Sequence, residues 1–115
     1  MSYIDGFVIP VPKSKKDAYR KLAAKSAPKF KEYGALRVVE CWGDDVPPGK
    51  VTSFPMAVNL KDDETVVFSW IVWPDKATRD EGNKRMMADP DMQPGDMPFD
   101  GQRMIFGGFE PILEQ

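Results

Sequence analysis

The run from Thr65 to Trp73 constrains this chain more than any other stretch. A half-buried strand carries its apolar residues on one side. Here Val66, Phe68, Trp70 and Val72 fill one face, while Val67, Ile71 and Trp73 take most of the other. Burying a side chain of this size is worth roughly 1.5–3 kcal/mol. A whole domain is stable by about 5–15 kcal/mol, so neither face can be left to water. The pattern predicts the central strand of a sheet, with helices over one face and a second copy of the chain over the other.

A chain of 115 residues makes one core, and one domain is expected over residues 1–115. The 42% apolar and 30% charged content is that of a folded globular protein. A net charge of −2 speaks against the broad basic surface that nucleic acid or an anionic membrane requires, so neither is expected as a partner. Asp5 interrupts the N-terminus before a signal-peptide core could form, and the longest apolar runs are strand-sized. The expectation is a soluble, cytoplasmic protein. Cys41 is the only cysteine and reads as a small buried side chain. Histidine is absent altogether, which excludes Ser-His-Asp and Cys-His nucleophile systems and His-ligated zinc or haem. No cofactor is expected.

Along the chain, Tyr3 to Val11 alternates as a strand that Pro10 and Pro12 end. Ser14 resembles an N-cap with Asp17 three residues on, opening a helix that runs to about Tyr33 before Gly34. Ala18, Leu22, Phe30 and Tyr33, with Ala23 and Ala27, can form its inner face. Pro28 predicts a kink near Ala24 to Pro28, or two shorter helices. Ala35 to Trp42 is a strand. Residues 43–64 form a long connection in which Phe54 to Leu60 is a further short strand or a helical turn. After the central strand, Pro74-Asp75 opens a second helix to about Ala88, with Gly82 in its interior. Gly there costs about 1 kcal/mol relative to Ala, so close approach to the sheet is the expected compensation. Asp91 to Gly101 is a loop, Gln102 to Phe109 the last strand, and Pro111 to Gln115 a tail. The order βαββαβ is the split βαβ pattern of an α+β fold, an antiparallel four-stranded sheet with two helices on one face. The other face then lacks cover, and a twofold partner is the simplest way to provide it.

Three segments carry a resemblance: Tyr3 to Pro12, Thr65 to Ile71, and Phe99 to Phe109, the last reading Phe-Asp-Gly-Gln-Arg-Met-Ile-Phe-Gly-Gly-Phe. Together they resemble the YbaA-like bacterial family, a domain of unknown function in the dimeric α/β-barrel superfamily. The resemblance implies a ferredoxin-like protomer whose sheets pair face to face in a homodimer. It implies no established activity. In the wider superfamily, cofactor-free monooxygenases hold an aromatic substrate beside Asn and Trp. This chain offers Trp70 and Trp73 but only Asn59 and Asn83, with no spacing that ties them to that arrangement.

Polar residues interrupt the apolar strands at Asp5, Arg37, Glu40, Ser69 and Arg103, with Trp42, Trp70 and Trp73 as potential walls. A mostly apolar cavity with a few converging polar groups is the ordinary form of a small-molecule site. In such a setting Asp5 is the candidate general base, and Arg37, Glu40, Ser69, Trp70 and Arg103 are candidate binding residues. The competing expectation is that these groups are ion pairs or edge-strand residues facing water. The acidic loop containing Asp89, Asp91, Asp96 and Asp100 departs from the calcium-loop pattern, and turn-forming aspartates explain its spacing without a metal. Eight of the sixteen basic residues fall between Lys13 and Lys31, around the first helix as a solvated face. The reading is a homodimer that binds a small molecule or acts as a cofactor-independent enzyme. A non-catalytic structural or interaction dimer is the alternative.

Overall fold

The double-sided run lies in the interior of the sheet, as its hydrophobicity requires. In a computed structural model, which describes residues 2–92, 95 and 97–115, β3 (Glu64–Trp73) pairs antiparallel with β1 (Tyr3–Pro12) on one side and β2 (Arg37–Trp42) on the other. β4 (Ile105–Phe109) pairs antiparallel with β1, giving the order β2-β3-β1-β4. α1 (Lys16–Glu32) follows β1 and α3 (Lys76–Ala88) follows β3. Both helices lie on the face that carries Phe7, Ile9, Val67, Ile71 and Trp73. Among the described residues no helix is long and apolar enough to cross a membrane.

β1 runs through Pro10 and Pro12 rather than ending at them. The register explains why. Val66, opposite Pro10, turns its carbonyl toward β2, where Gly43 N–H donates to it. Pro10 and Val66 are therefore a non-hydrogen-bonded pair, and the proline nitrogens point to the β4 side. β4 stops opposite Val8, so the missing N–H groups break no ladder bond.

Ser14 does not cap α1. A short 3-10 turn over Lys13–Lys15 absorbs it, Lys13 N–H donates to Asp63 O at 2.8 Å, and the helix starts at Lys16 with no side-chain cap. Its inner face is set one residue on from Ala18, which is exposed: Tyr19 is buried, and Ala23 and Phe30 pack inward with it. The helix is unbroken over Pro28, so the two-helix alternative is not realised. Ala24 and Pro28 both face water, where the carbonyl deprived of its donor can be solvated. The C-terminus closes as a Schellman motif on Gly34, φ 115°, with Ala35 N–H donating to Phe30 O and Gly34 N–H to Lys31 O.

In the long connection the helical-turn alternative holds. α2 (Phe54–Ala57) is capped by the Ser53 hydroxyl, which accepts from Met56 N–H at 3.1 Å. Fully buried Val58 then packs with Val8 and Val66, so the connection covers one end of the sheet face opposite the helices. The rest of that face is uncovered: Phe68, Ile105 and Phe109 are 44%, 45% and 60% exposed. Phe68 lies between Phe54, which it meets edge to face, and the tilted Trp70 ring, at ring distances of 5.7 and 5.6 Å.

Candidate functional site

The polar interruptions of the strands do not converge on one pocket; they fall in four places. Asp5 lies on the helix-covered face of β1, 4% exposed. Trp73 Nε1, across the strand pair, donates to its Oδ2 at 2.9 Å. Arg79, one turn into α3, donates from Nη2 and Nε to Oδ1 at 2.8 and 3.0 Å, and Asn83 Nδ2 lies 3.3 Å from Oδ2. The Arg79 guanidinium also stacks over Tyr3, 5.1 Å from the ring centre, and its pKa is pushed up by the hydrogen bonds to Asp5. The carboxylate proposed from sequence as a general base thus has both oxygens engaged by three neighbours within the fold. Among the described residues no buried side-chain nitrogen or oxygen lacks a partner.

Arg103 marks the second place. Its guanidinium clasps Glu64 with Nη1 to Oε1 at 2.8 Å and Nη2 to Oε2 at 2.6 Å, and Nε donates to Asp100 at 2.9 Å. Nη1 also donates to the carbonyl of Asn59 at 2.9 Å. This fork ties the entry to β4, the α2 connection and the start of β3 together, and its bonds hold the Glu64 carboxyl below the ordinary carboxylate range. It also explains why β4 begins at Ile105 and not at Gln102: residues 100–103 are spent in a turn that aims Arg103 inward, with Gln102 N–H donating to Asp100.

Glu40 and Ser69 are cross-strand neighbours on the helix-covered face, and the structure brings these two candidates together. Glu40 stands on edge strand β2, so the residue keeps contact with water while its carboxyl end turns under α1. There Tyr19 Oη–H donates to Oε1 at 2.6 Å, and the Ser69 hydroxyl donates to the same carboxylate. Desolvation raises the Glu40 pKa more than these donors lower it. Burial, reinforced by the bond to Glu40, pushes the Tyr19 phenol up as well. No cation among the described residues pairs with Glu40. Beside this dyad a cleft of about 150 Å³ opens between α1 and β2, walled by Trp42, Val67 and Ala23, with Lys16 and Arg20 at its mouth. Lys16 Nζ lies over the Trp42 ring, 5.6 Å from its centre. A wider, shallow depression of about 550 Å³ runs along α3 past Asn83 and Lys84.

Arg37 and Trp70 lie on the opposite face, with the uncovered Phe68 and Phe109, away from Glu40. In the acidic stretch, Asp89 accepts from Tyr33 Oη–H at 2.6 Å and pairs with Lys29 at 3.2 Å, and Asp100 pairs with Arg103. Asp96 lies outside the described residues. Two residues of consequence escaped the sequence reading. Tyr19 was findable, because 19, 23, 26 and 30 recur at helical spacing. Arg79 had a weaker mark, its place three residues before Gly82 on α3; nothing local links it to Asp5, 74 positions away.

The family model described as "Protein of unknown function (DUF1428)" matches residues 2–101. "Uncharacterized protein YbaA" of Escherichia coli K12 is 61% identical over 117 aligned positions, covering all of both chains, and the YbaA of Shigella flexneri is equally similar. Among solved structures, a dimeric ferredoxin-like protein from an uncultured marine organism superposes over the full length of both chains with a TM-score of 0.61 at 11% identity. That likeness shows the fold alone. With its four-stranded antiparallel sheet and two covering helices, the chain is a ferredoxin-like protein that belongs to the DUF1428 family.

Proposed function

We propose that this protein is a homodimer in which two sheets close face to face into one α/β barrel, each protomer a single domain that binds a small molecule beside its sheet. The observation that carries the reading is the uncovered face, where Phe68, Ile105 and Phe109 stand exposed beside Trp70. Four strands about 4.8 Å apart, of ten, six, ten and five residues, span roughly 500 Å², one end of which the α2 connection covers. A standard interface takes about 800 Å² from each partner, a size the open part of the sheet approaches only with the accessible surface of the exposed Phe68, Ile105 and Phe109 side chains counted in. The marine ferredoxin-like protein, described as dimeric, supports the same reading. Sedimentation of the purified protein at micromolar concentration tests it: a dimer is expected, and a monomer across that range overturns the proposal.

The ligand site of this reading is the α1–β2 cleft, with Glu40 and Tyr19 as its polar floor and Ser69 held to Glu40 by a hydrogen bond. Arg37 and Trp70 belong to the dimer face, and Asp5 and Arg103 serve as anchors of the fold. A small-molecule-binding protein or a cofactor-independent enzyme can be built on such a cleft. The second reading, a dimer without a ligand, is favoured by the consumption of Asp5 and Arg103 in ion pairs. A melting-temperature screen separates the two, since compounds that bind only the folded form raise it.

A further inference from the structure

Resting on the small-molecule reading above, we infer that the cleft between α1 and β2 takes a single-ring aromatic carboxylate carrying a hydroxyl. Three features of the cleft specify that chemistry.

The first is size and wall. The space of about 150 Å³ is lined by the Trp42 indole and by Val67 and Ala23, and a cavity of this order admits a benzene-sized ring in an engineered protein interior. Ala23 matters because it is small. Its inward position on α1 leaves open the volume that Leu or Phe at the same place would fill.

The second is the floor. Glu40 accepts from Tyr19 and Ser69, which takes two of the roughly four acceptor positions of a carboxylate. No cation among the described residues pairs with this carboxylate, whose residue is exposed along edge strand β2, and a hydroxyl donated from the cleft takes one of the acceptor positions left open. The third is the mouth. Lys16 and Arg20 lie one turn apart on α1, on the same side of the helix; Lys16 Nζ rests over one edge of the cleft at the Trp42 ring, and Arg20 is in none of the salt bridges of the described residues. A ring seated against Trp42 with its hydroxyl toward Glu40 leaves its far end at these two cations, where a carboxylate is favoured and an ammonium is not.

The test uses the full-length protein with 4-hydroxybenzoate, benzoate and tyramine as probes, read by thermal shift and calorimetry. 4-Hydroxybenzoate at millimolar concentration is expected to raise the melting temperature. Benzoate should bind about tenfold more weakly through loss of one hydrogen bond to a charged acceptor, and tyramine should bind more weakly than either. Arg20→Gln, an exposed change that leaves the core intact, should weaken 4-hydroxybenzoate and spare the melting temperature of the free protein. Ala23→Leu fills the cleft and should abolish the shift while the protein stays folded. Absence of any shift with all three probes overturns the inference, as does a shift that survives Ala23→Leu or a preference for tyramine. Sedimentation run in parallel keeps the failures apart. A dimer without probe binding removes this ligand class and leaves the dimer standing, while other compounds that still bind the Ala23→Leu variant would move the ligand site elsewhere.

Discussion

Gly82 sits in the interior of α3, where alanine would improve helix propensity by about 1 kcal/mol, yet a Cβ there would press into the ring of fully buried Trp73 and lie 2.9 Å from the Tyr33 carbonyl. The indole cannot retreat without dropping its bond to Asp5, so overpacking at about 1–3 kcal/mol decides the sign. Gly82→Ala should therefore lower the denaturation midpoint, and a more stable variant would contradict this packing. Asp5 gives the complementary case. Asp5→Asn removes the charge that Arg79 faces at 2.8 Å, and breaking a buried pair from one side costs about 3 kcal/mol or more. Urea unfolding of this variant should show that loss with an unchanged m-value. Both positions were legible from sequence as oddities, a glycine within a helix and an acid within an apolar strand. The close approach at Gly82 followed from propensity alone. The job of Asp5 did not, because its meaning rests on Trp73, Arg79 and Asn83, which only the fold delivers to it.

At the level of elements, hydrophobic period placed the strands, while the second long helix was marked by its ends, Pro74-Asp75 before it and Asp89-Pro90 after it, because its own apolar face is weak. Ends were less readable, and for identifiable reasons. Pro10 and Pro12 read as a stop, yet on the flank that β4 leaves open a proline is tolerated. Ser14 read as a cap, yet the bond from Lys13 to Asp63 draws the chain into a 3-10 turn first. The last strand was read as starting at Gln102, three residues too early, because the burial of Arg103 against Glu64 is a long-range pairing with no local mark. Of the candidate site, the Glu40–Ser69 pair was legible as strand polarity, while the cleft beside it depends on how α1 is rotated. Pro28 remains the weak point of α1, exposed and without a donor for Ala24. Pro28→Ala restores that bond and should stabilise by about 1–3 kcal/mol. Thermal unfolding checks it, and a lower melting temperature would mean that the proline shapes the helix to fit the sheet.

For the molecule as a whole, two opposed pH dependences follow, and the proposed association can be tested beside them. Glu64, Asp89 and Asp100 are held below their ordinary values by Arg103, Tyr33 and Arg103 in turn. The unfolded chain binds their protons more readily, so their contribution is complete above the ordinary carboxylate range and is lost as pH falls through their folded values. Glu40 runs the other way: its folded-state pKa is raised by desolvation, so stability declines as pH climbs from about 4.5 through that higher value. Glu40→Gln should accordingly melt higher than the parent at pH 7–8 and lose the advantage near pH 4, and an equal difference at both pH values would show that the charge is not the cause. Association reads out on the same melting curves. If the two uncovered sheets meet, Phe68 and Phe109 pass from water to the centre of an interface, and unfolding becomes linked to dissociation, so the melting temperature rises with protein concentration. A carboxylate at either position would be buried without a partner, at several kcal/mol per site, which is a large share of the free energy of a micromolar dimer, about 8 kcal/mol. Neither ring belongs to the helix-side core, so Phe68→Asp with Phe109→Asp should leave the far-ultraviolet spectrum of the protomer in place. The double variant should sediment as a monomer and lose the concentration dependence of its melting. A double variant that stays dimeric would place the interface on another surface.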